Sequence, residues 1–264
     1  MKQRIITAIV AFGIFIPIIF LGGLPLTLTI YAIASIGLFE MLRMKKLQLA
    51  SIEGVIGLLA LWIVLLPSEY VERLESLTSL TSIQLVFIAV FLLLIATVVS
   101  KNRFTFDDAA FIMMSVLYVG IGFHYFLETR TFGVAFIFYA LLIVWTTDSG
   151  AYFIGRKIGR RKLWPEISPN KTVEGFWGGV LSAVVFLFVY QQFFPVTDSL
   201  FVLLGVTLVA SMFGQLGDLV ESALKRHYNV KDSGRLLPGH GGVMDRFDSL
   251  LFVLPLLHFV HLIG

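Results

Sequence analysis

Apolar residues follow one another in runs of about twenty along almost the whole chain, and only short polar or basic segments interrupt them. A helix needs about 20 apolar residues to cross the hydrocarbon core of a bilayer. With no water there, every backbone N–H and C=O must be bonded within the structure, which leaves the helix as the natural solution for such runs. The pattern therefore predicts an all-α integral membrane protein. The charged fraction agrees: 14% of 264 residues, where soluble domains carry about 25%. Nine transmembrane helices are expected, over about 5–22, 24–42, 52–67, 83–100, 108–127, 132–154, 174–194, 199–222 and 246–263. The opening MKQR and its apolar run read as an uncleaved first span, because no small-residue cleavage site precedes the next run. The chain has no cysteine, which removes disulfides and thiolate metal sites.

The same map can be tested by charge. With the N-terminus inside, eighteen of the twenty Lys and Arg residues fall in inner segments, and only Arg73 and Arg130 fall outside. Basic residues in short loops favour the cytoplasmic side, so the C-terminus is expected outside. The outer loop, about 68–82, reads as a short amphipathic helix without chemistry.

Charge then collects in one place. Residues 218–248 hold four of the eight aspartates, five of the twenty Lys/Arg and two of the five histidines. Asp218, Glu221, Ser222 and Lys225 recur at i, i+3, i+4 and i+7, which puts them on one helical face. Gly239-His240-Gly241-Gly242 can adopt backbone conformations other residues resist, with N–H groups converging on an anion. Asp245 and Asp248 share a face at the start of the last helix. Helix capping accounts for one of these aspartates, but poorly for two of them and Asp218 together.

Elsewhere, Asp148 sits within the sixth span near its inner end, where an ionisable group is a functional hypothesis by default. A protonated Asp148 bonding a neighbouring helix is the competing explanation. Small residues Ser149, Gly150, Ala151 and Gly155, and then Gly175, Gly178 and Gly179, mark faces where helices approach closely. The loop between these faces carries Ser168-Pro169-Asn170-Lys171-Thr172, in which a lysine precedes a helix N-terminus suited to phosphate. The other polar groups read as ordinary: Glu40 as an interfacial carboxylate beside basic anchors, Asp107 and Asp108 as helix-start groups, and His124 as an interfacial histidine. As a metal pair Asp107 and Asp108 are ill placed, since helix neighbours point about 100° apart.

Several carboxylates with no cysteine and no histidine cluster suggest oxygen ligation of a hard cation, Mg²⁺ rather than zinc. Lysines, arginines and a glycine turn suggest a polyphosphate. At lipid depth on the cytoplasmic face, these elements would join a nucleotide to a lipid.

Residues 222–248 resemble the signature of the phosphatidate cytidylyltransferases, or CDP-diacylglycerol synthases. The matching positions are Ser222, Lys225, Arg226, Lys231, Asp232, His240, Gly241, Gly242, Asp245, Arg246 and Asp248. The likeness covers roughly residues 145–264; residues 1–130 match only as a multispan pattern, expected to serve as scaffold or for oligomerisation, with catalysis in 131–264. It implies that CTP and phosphatidic acid react, with Mg²⁺ and a possible second metal ion, to give CDP-diacylglycerol and pyrophosphate. Metal is then expected on Asp218, Asp245, Asp248 and Asp148. Catalytic roles are expected for Lys225, Arg226, Lys231, Asp232 and His240. Substrate binding is expected for Ser168, Asn170, Lys171, Ser222, Gly241, Gly242 and Arg246. A phosphomonoester has its second pKa near 6, so the nucleophile is already anionic and His240 is not needed as a base. A homodimer in the cell membrane is the family expectation, and no nucleic-acid partner is expected. Two alternatives are a CTP-dependent prenol or phytol kinase and an ion-coupled transporter; the transporter would carry its polar groups at the midplane.

Overall fold

The computed structural model describes residues 2–236, 239 and 241–263. The chain is nearly all helix, in the order α1 (Lys2–Leu21), α2 (Gly23–Met44), α3 (Ile52–Val64), α4 (Ser68–Thr78), α5 (Ser82–Val99), α6 (Phe106–Phe132), α7 (Val134–Ile158), β1 (Lys162–Trp164), β2 (Ser168–Thr172), α8 (Val173–Phe193), α9 (Leu200–His227), α10 (Met244–Phe247) and α11 (Leu250–Phe259). Among the described residues, α2, α5, α6, α7, α8 and α9 are long and apolar enough to cross a membrane. A seventh span results if α3 and α4, bent by 120° at Leu65–Pro67, count as one. Ile9–Leu21 and α11 are shorter apolar helices. The expected last span, 246–263, is thus divided into part of α10, a turn and the ten residues of α11. At 1.5 Å per residue α11 reaches about 15 Å, half the hydrocarbon thickness.

The helices form two compact units. The first comprises Met1–Glu128 and Ser233–Met244. Its α1 and α2 are joined at Gly22 and Gly23, whose φ of 63° and 51° are open to glycine at little cost. Gly57 of α3 lies against Ile112, and Gly120 of α6 against Val64, so a side chain at either would meet the neighbouring helix. Trp62 donates to Ser35 at 3.0 Å, and Tyr31 donates to the Trp62 carbonyl at 3.1 Å. The segment after Pro67 is the helix α4, as its sequence suggests. Asp108 accepts from the Thr105 N–H at 2.9 Å and pairs with Lys45 at 2.8 Å, so it closes the start of α6 rather than holding a metal. Helix α5 turns Phe87, Phe91, Ile95, Val98 and Val99 outward. In water so large an apolar surface would be a liability; on a membrane-spanning helix it is what hydrocarbon requires.

The second unit comprises Thr129–Asp232 and Asp245–Gly264. Its helices α7 and α8 pack closely along the two small-residue faces. A Cβ at Gly178 would lie 2.6 Å from Ile154, one at Gly179 2.6 Å from the Thr147 carbonyl, and one at Gly175 2.8 Å from the Ala151 carbonyl. Polar pairs tie α9 to this layer: Tyr139 with Thr207 at 2.7 Å, Thr147 with Ser211 at 2.8 Å, and Gln215 donating to the Phe176 carbonyl at 3.2 Å. In hydrocarbon such bonds are worth about 0.6–2 kcal/mol each. The loop expected before α8 contains a two-stranded antiparallel hairpin, β1 with β2, pairing Lys162 with Thr172 and Trp164 with Ser168. Hydrophobic periodicity gives little sign of strands this short.

Candidate active site

The last three turns of α9 carry the densest chemistry of the second unit. The i, i+4 spacing delivers two contacts along one stripe: Ser222 Oγ to Asp218 Oδ1 at 3.3 Å, and Lys225 Nζ to Glu221 Oε2 at 2.6 Å. Chain segments distant in sequence complete each pair. Lys171 of β2 brings Nζ to 2.6 Å from Asp218 Oδ2. Asp245 of α10 brings Oδ1 to 2.6 Å from the same Lys225 Nζ. Lys225 is therefore held between two carboxylates, with only 11% of its side chain exposed. Taking such a charge out of water costs several kcal/mol, which the two partners offset.

Asp248 is half-buried, and its Oδ1 accepts from the Ser249 N–H at 2.7 Å. Its carbonyl packs on Gly217, where a Cβ would come within 2.7 Å. Asp248 lies within electrostatic reach of Asp218, Glu221 and Asp148, and Asp148 within reach of Asp218, Lys171 and Arg246. The hairpin, the end of α9 and the start of the last helical segment thus meet in one charged cluster. Of the residues that the sequence singled out at 148 and 168–172, Lys171 contacts the 218–225 stripe and Asp148 lies within electrostatic reach of Asp218.

The remaining candidates are less converged. Arg226 is exposed and braces the hairpin turn, donating to the Ile167 carbonyl at 3.3 Å, and it donates to the Val230 carbonyl at 3.4 Å. Lys231, Asp232 and Arg246 are exposed. Ser168 and Asn170 lie on β2, the first half-buried and the second exposed. His240 lies outside the described residues. The start of α8 is already partly satisfied within the protein: Thr172 Oγ1 accepts from the Gly175 N–H at 3.1 Å, and Glu174 accepts from the N–H of Arg160 at 3.0 Å. Lys171 rather than a bare helix end is what this loop presents.

Two glutamates do more than the sequence suggests. Glu221 is fully buried; among the described residues no hydrogen-bond donor reaches its Oε1, and the Asp248 carboxyl lies within hydrogen-bonding reach of its side chain. Its helical spacing marked it, but nothing local announced an oxygen without such a donor. Glu40, expected at an interface, is 2% exposed within the first unit. Its Oε2 accepts from Ser233 Oγ and the Met244 N–H, and its Oε1 from the Val243 N–H, each at 3.0 Å. Those partners lie 193 to 204 residues away in sequence, so no local signal could have identified them.

Among the described residues, no group of three or more histidine or carboxylate side chains is arranged to enclose a metal ion. The donor chemistry nevertheless fits a hard divalent cation. The cluster offers carboxylate oxygens, and one of them, Glu221 Oε1, is buried without a donor among the described residues. Asp218 and Asp245 are engaged by the protein's own cations, Lys171 and Lys225.

Comparison with known proteins places these residues in a wider setting. A family model described as the cytidylyltransferase family matches residues 2–263. The likeness therefore extends through the N-terminal helices as well as the signature. A phosphatidate cytidylyltransferase of Bacillus subtilis is 54% identical over 263 residues, covering 98% of this chain and 97% of its own length. One of Staphylococcus epidermidis is also 54% identical, and one of Staphylococcus aureus is 50% identical, each over 258 residues and 98% of both chains.

Proposed function

The chain belongs to the cytidylyltransferase family, and from that premise we propose how its residues divide the work of a phosphatidate cytidylyltransferase. The enzyme joins CTP and phosphatidic acid to form CDP-diacylglycerol and pyrophosphate. A lipid phosphate oxygen attacks the α-phosphorus of CTP, and the bond from that phosphorus to the bridging oxygen of the leaving pyrophosphate breaks. The nucleophile is anionic at neutral pH, so the task is to bring two polyanions together. Positioning and charge neutralisation supply most of the catalysis in such transfers.

The observation that carries this reading is Lys225 held between Glu221 and Asp245, beside the pair of Lys171 with Asp218. Lysines paired with carboxylates are cations kept in place before substrate arrives. Lys225, Arg226 and Lys231 neutralise the attacking and departing phosphates. Lys171, with Ser168 and Asn170 beside it, grips phosphate, and so do Ser222, Arg246 and the turn at Gly241 and Gly242. Asp232 and His240 take the catalytic roles that the resemblance implies, His240 not as a base. Asp218, Asp245 and Asp248, with Asp148 and Glu221, are the oxygens that would hold Mg²⁺ or a pair of such ions. The metal supplies charge neutralisation on phosphate oxygens.

In this reading the shorter apolar segments of α1, α3 and α11 complete nine passages through the cell membrane. The N-terminus and the site face the cytoplasm, and the C-terminus lies outside. The distribution of eighteen basic residues against two supports this orientation. A homodimer is the expected assembly. Because the natural chain has no cysteine, single cysteines report the topology directly. In sealed cells an impermeant thiol reagent is expected to label Ser76→Cys and to spare Lys162→Cys; the reverse pattern overturns the orientation.

The deciding experiment incubates the purified protein with labelled CTP, phosphatidic acid and Mg²⁺, and identifies the products. CDP-diacylglycerol and pyrophosphate are expected. CDP with a phosphorylated lipid alcohol would make the chain a kinase. Near-normal turnover by Asp218→Asn and Asp245→Asn would remove the metal assignment.

A further inference from the structure

The loop Ser233–Met244 closes around a single side chain. Glu40, one turn before the end of α2, accepts Ser233 Oγ at the start of the loop and the N–H groups of Val243 and Met244 at its end. A buried carboxylate costs several kcal/mol unless hydrogen bonds satisfy it, and three donors do so here. The fit leaves no spare room. A Cβ at Gly234 or at Gly242 would overlap the Glu40 carboxylate, and one at Gly242 would also meet Ser233 Oγ. These two glycines are needed for space.

Two other glycines of the loop are needed for conformation. Gly239 and Gly241 have φ of 79° and 85°, in the region that side chains disfavour. Turns built from such residues direct successive N–H groups to one side, which is how backbone binds anions. A segment with four glycines among twelve residues gains much freedom when released, so its turn keeps one shape only if its ends are fixed. Glu40 fixes both ends. It also takes the N–H groups of Val243 and Met244 at the start of α10, which leaves a substrate anion to the turn itself. Arg235, Leu236 and Gly239 are exposed, so the turn lies open to a ligand arriving from solution.

We propose that Glu40 is a positioning residue for the nucleotide: it clamps the ends of the loop Ser233–Met244, and so holds Gly239 and Gly241 in the conformation that receives a phosphate of CTP. The inference rests on the reading of the chain as a CTP-using enzyme. It gives a residue of the N-terminal helices, far outside the 222–248 signature, a part in substrate recognition.

The test uses the full-length protein in mixed micelles of detergent and phosphatidic acid, with Mg²⁺. Glu40→Gln keeps the size of the side chain but replaces one acceptor oxygen by a donor, which opposes the donors facing it. Its KM for CTP is expected to rise about tenfold, the effect of losing a hydrogen bond to a charged group. Its KM for phosphatidic acid should change less than about twofold. Glu40→Asp, which restores the charge but is one methylene shorter, should fall between the two. Trypsin cleavage at Arg235 should accelerate in Glu40→Gln, and CTP should slow it again at raised concentration. A folded Glu40→Gln with its KM for CTP unchanged overturns the proposal. So does an equal rise in KM for both substrates, or a fall in kcat alone. If Glu40→Gln does not give a cooperative thermal transition, Ser233→Ala decides instead: it removes one of the three donors and should raise the KM for CTP about threefold. An unchanged KM there also overturns the proposal. Wild-type protein that forms no CDP-lipid would defeat the enzymatic reading itself; active wild type with unaltered variants defeats only the role of Glu40.

Discussion

Two buried glutamates, one in each unit, are held in opposite ways. Glu40 is surrounded by neutral donors, a hydroxyl and two backbone N–H groups, and both its oxygens are occupied. Glu221 has an ammonium at 2.6 Å on one oxygen, and among the described residues no donor reaches its other oxygen. Neutral donors fix a carboxylate in direction and leave the local charge negative. A shared lysine fixes the charge balance and leaves coordination unsatisfied. The first arrangement suits a clamp on the backbone. The second suits a place where cations and phosphates exchange partners.

Removing the shared cation breaks the Glu221 half of this contrast most directly. Lys225→Met would leave Glu221 and Asp245 buried without their ammonium, and loss of one partner of a buried pair costs about 3–5 kcal/mol. Product formation from labelled CTP is expected to fall at least about a hundredfold, and the denaturant midpoint should fall with it. Normal turnover with normal stability would show that the pair is incidental.

Glu221→Gln separates charge from shape. Lys225 keeps Asp245, so the thermal midpoint should move little, while turnover falls about tenfold or more, as for a group supporting metal-bound phosphate. Equal losses of stability and activity would make Glu221 a structural carboxylate. The socket around Glu40 can be tested through its wall. Gly234→Ala forces a Cβ into the Glu40 side chain, an overpacking that costs about 1–3 kcal/mol and is read as a lower denaturant midpoint. The smallest effect is expected at Asp108→Asn, which weakens a partly exposed pair with Lys45 and a helix cap. It should cost about 1 kcal/mol or less and leave turnover within about twofold of wild type.

Helix content was legible because each long apolar run carries its own reason to be helical. The small-residue faces of α7 and α8 were legible for a similar reason: absent side chains permit close approach wherever a partner helix lies. The stripe from Asp218 to Lys225 followed from 3.6-residue periodicity, and its contacts at i, i+4 are local. Two features were not legible in this way. The hairpin β1–β2 is too short to impose a pattern. The last segment breaks at Asp248 and Ser249 into two short helices, although its composition reads as one continuous run.

By itself the sequence determined that the chain is a multispan helical membrane protein, and that one 31-residue stretch gathers half of its aspartates. Spacing within a helix and the solvation of backbone in hydrocarbon are local constraints, and they act wherever the chain lies. Tertiary structure alone decided which charges are partners. Lys171 joins Asp218, Asp245 joins Lys225, and Glu40 joins a loop about two hundred residues away. Such pairs depend on how helices pack, and the energy of a buried charge is set by the donors that packing brings to it. The same residue type, glutamate, therefore became a carboxylate bonded on both oxygens by neutral donors in one unit and a lysine-paired carboxylate in the other.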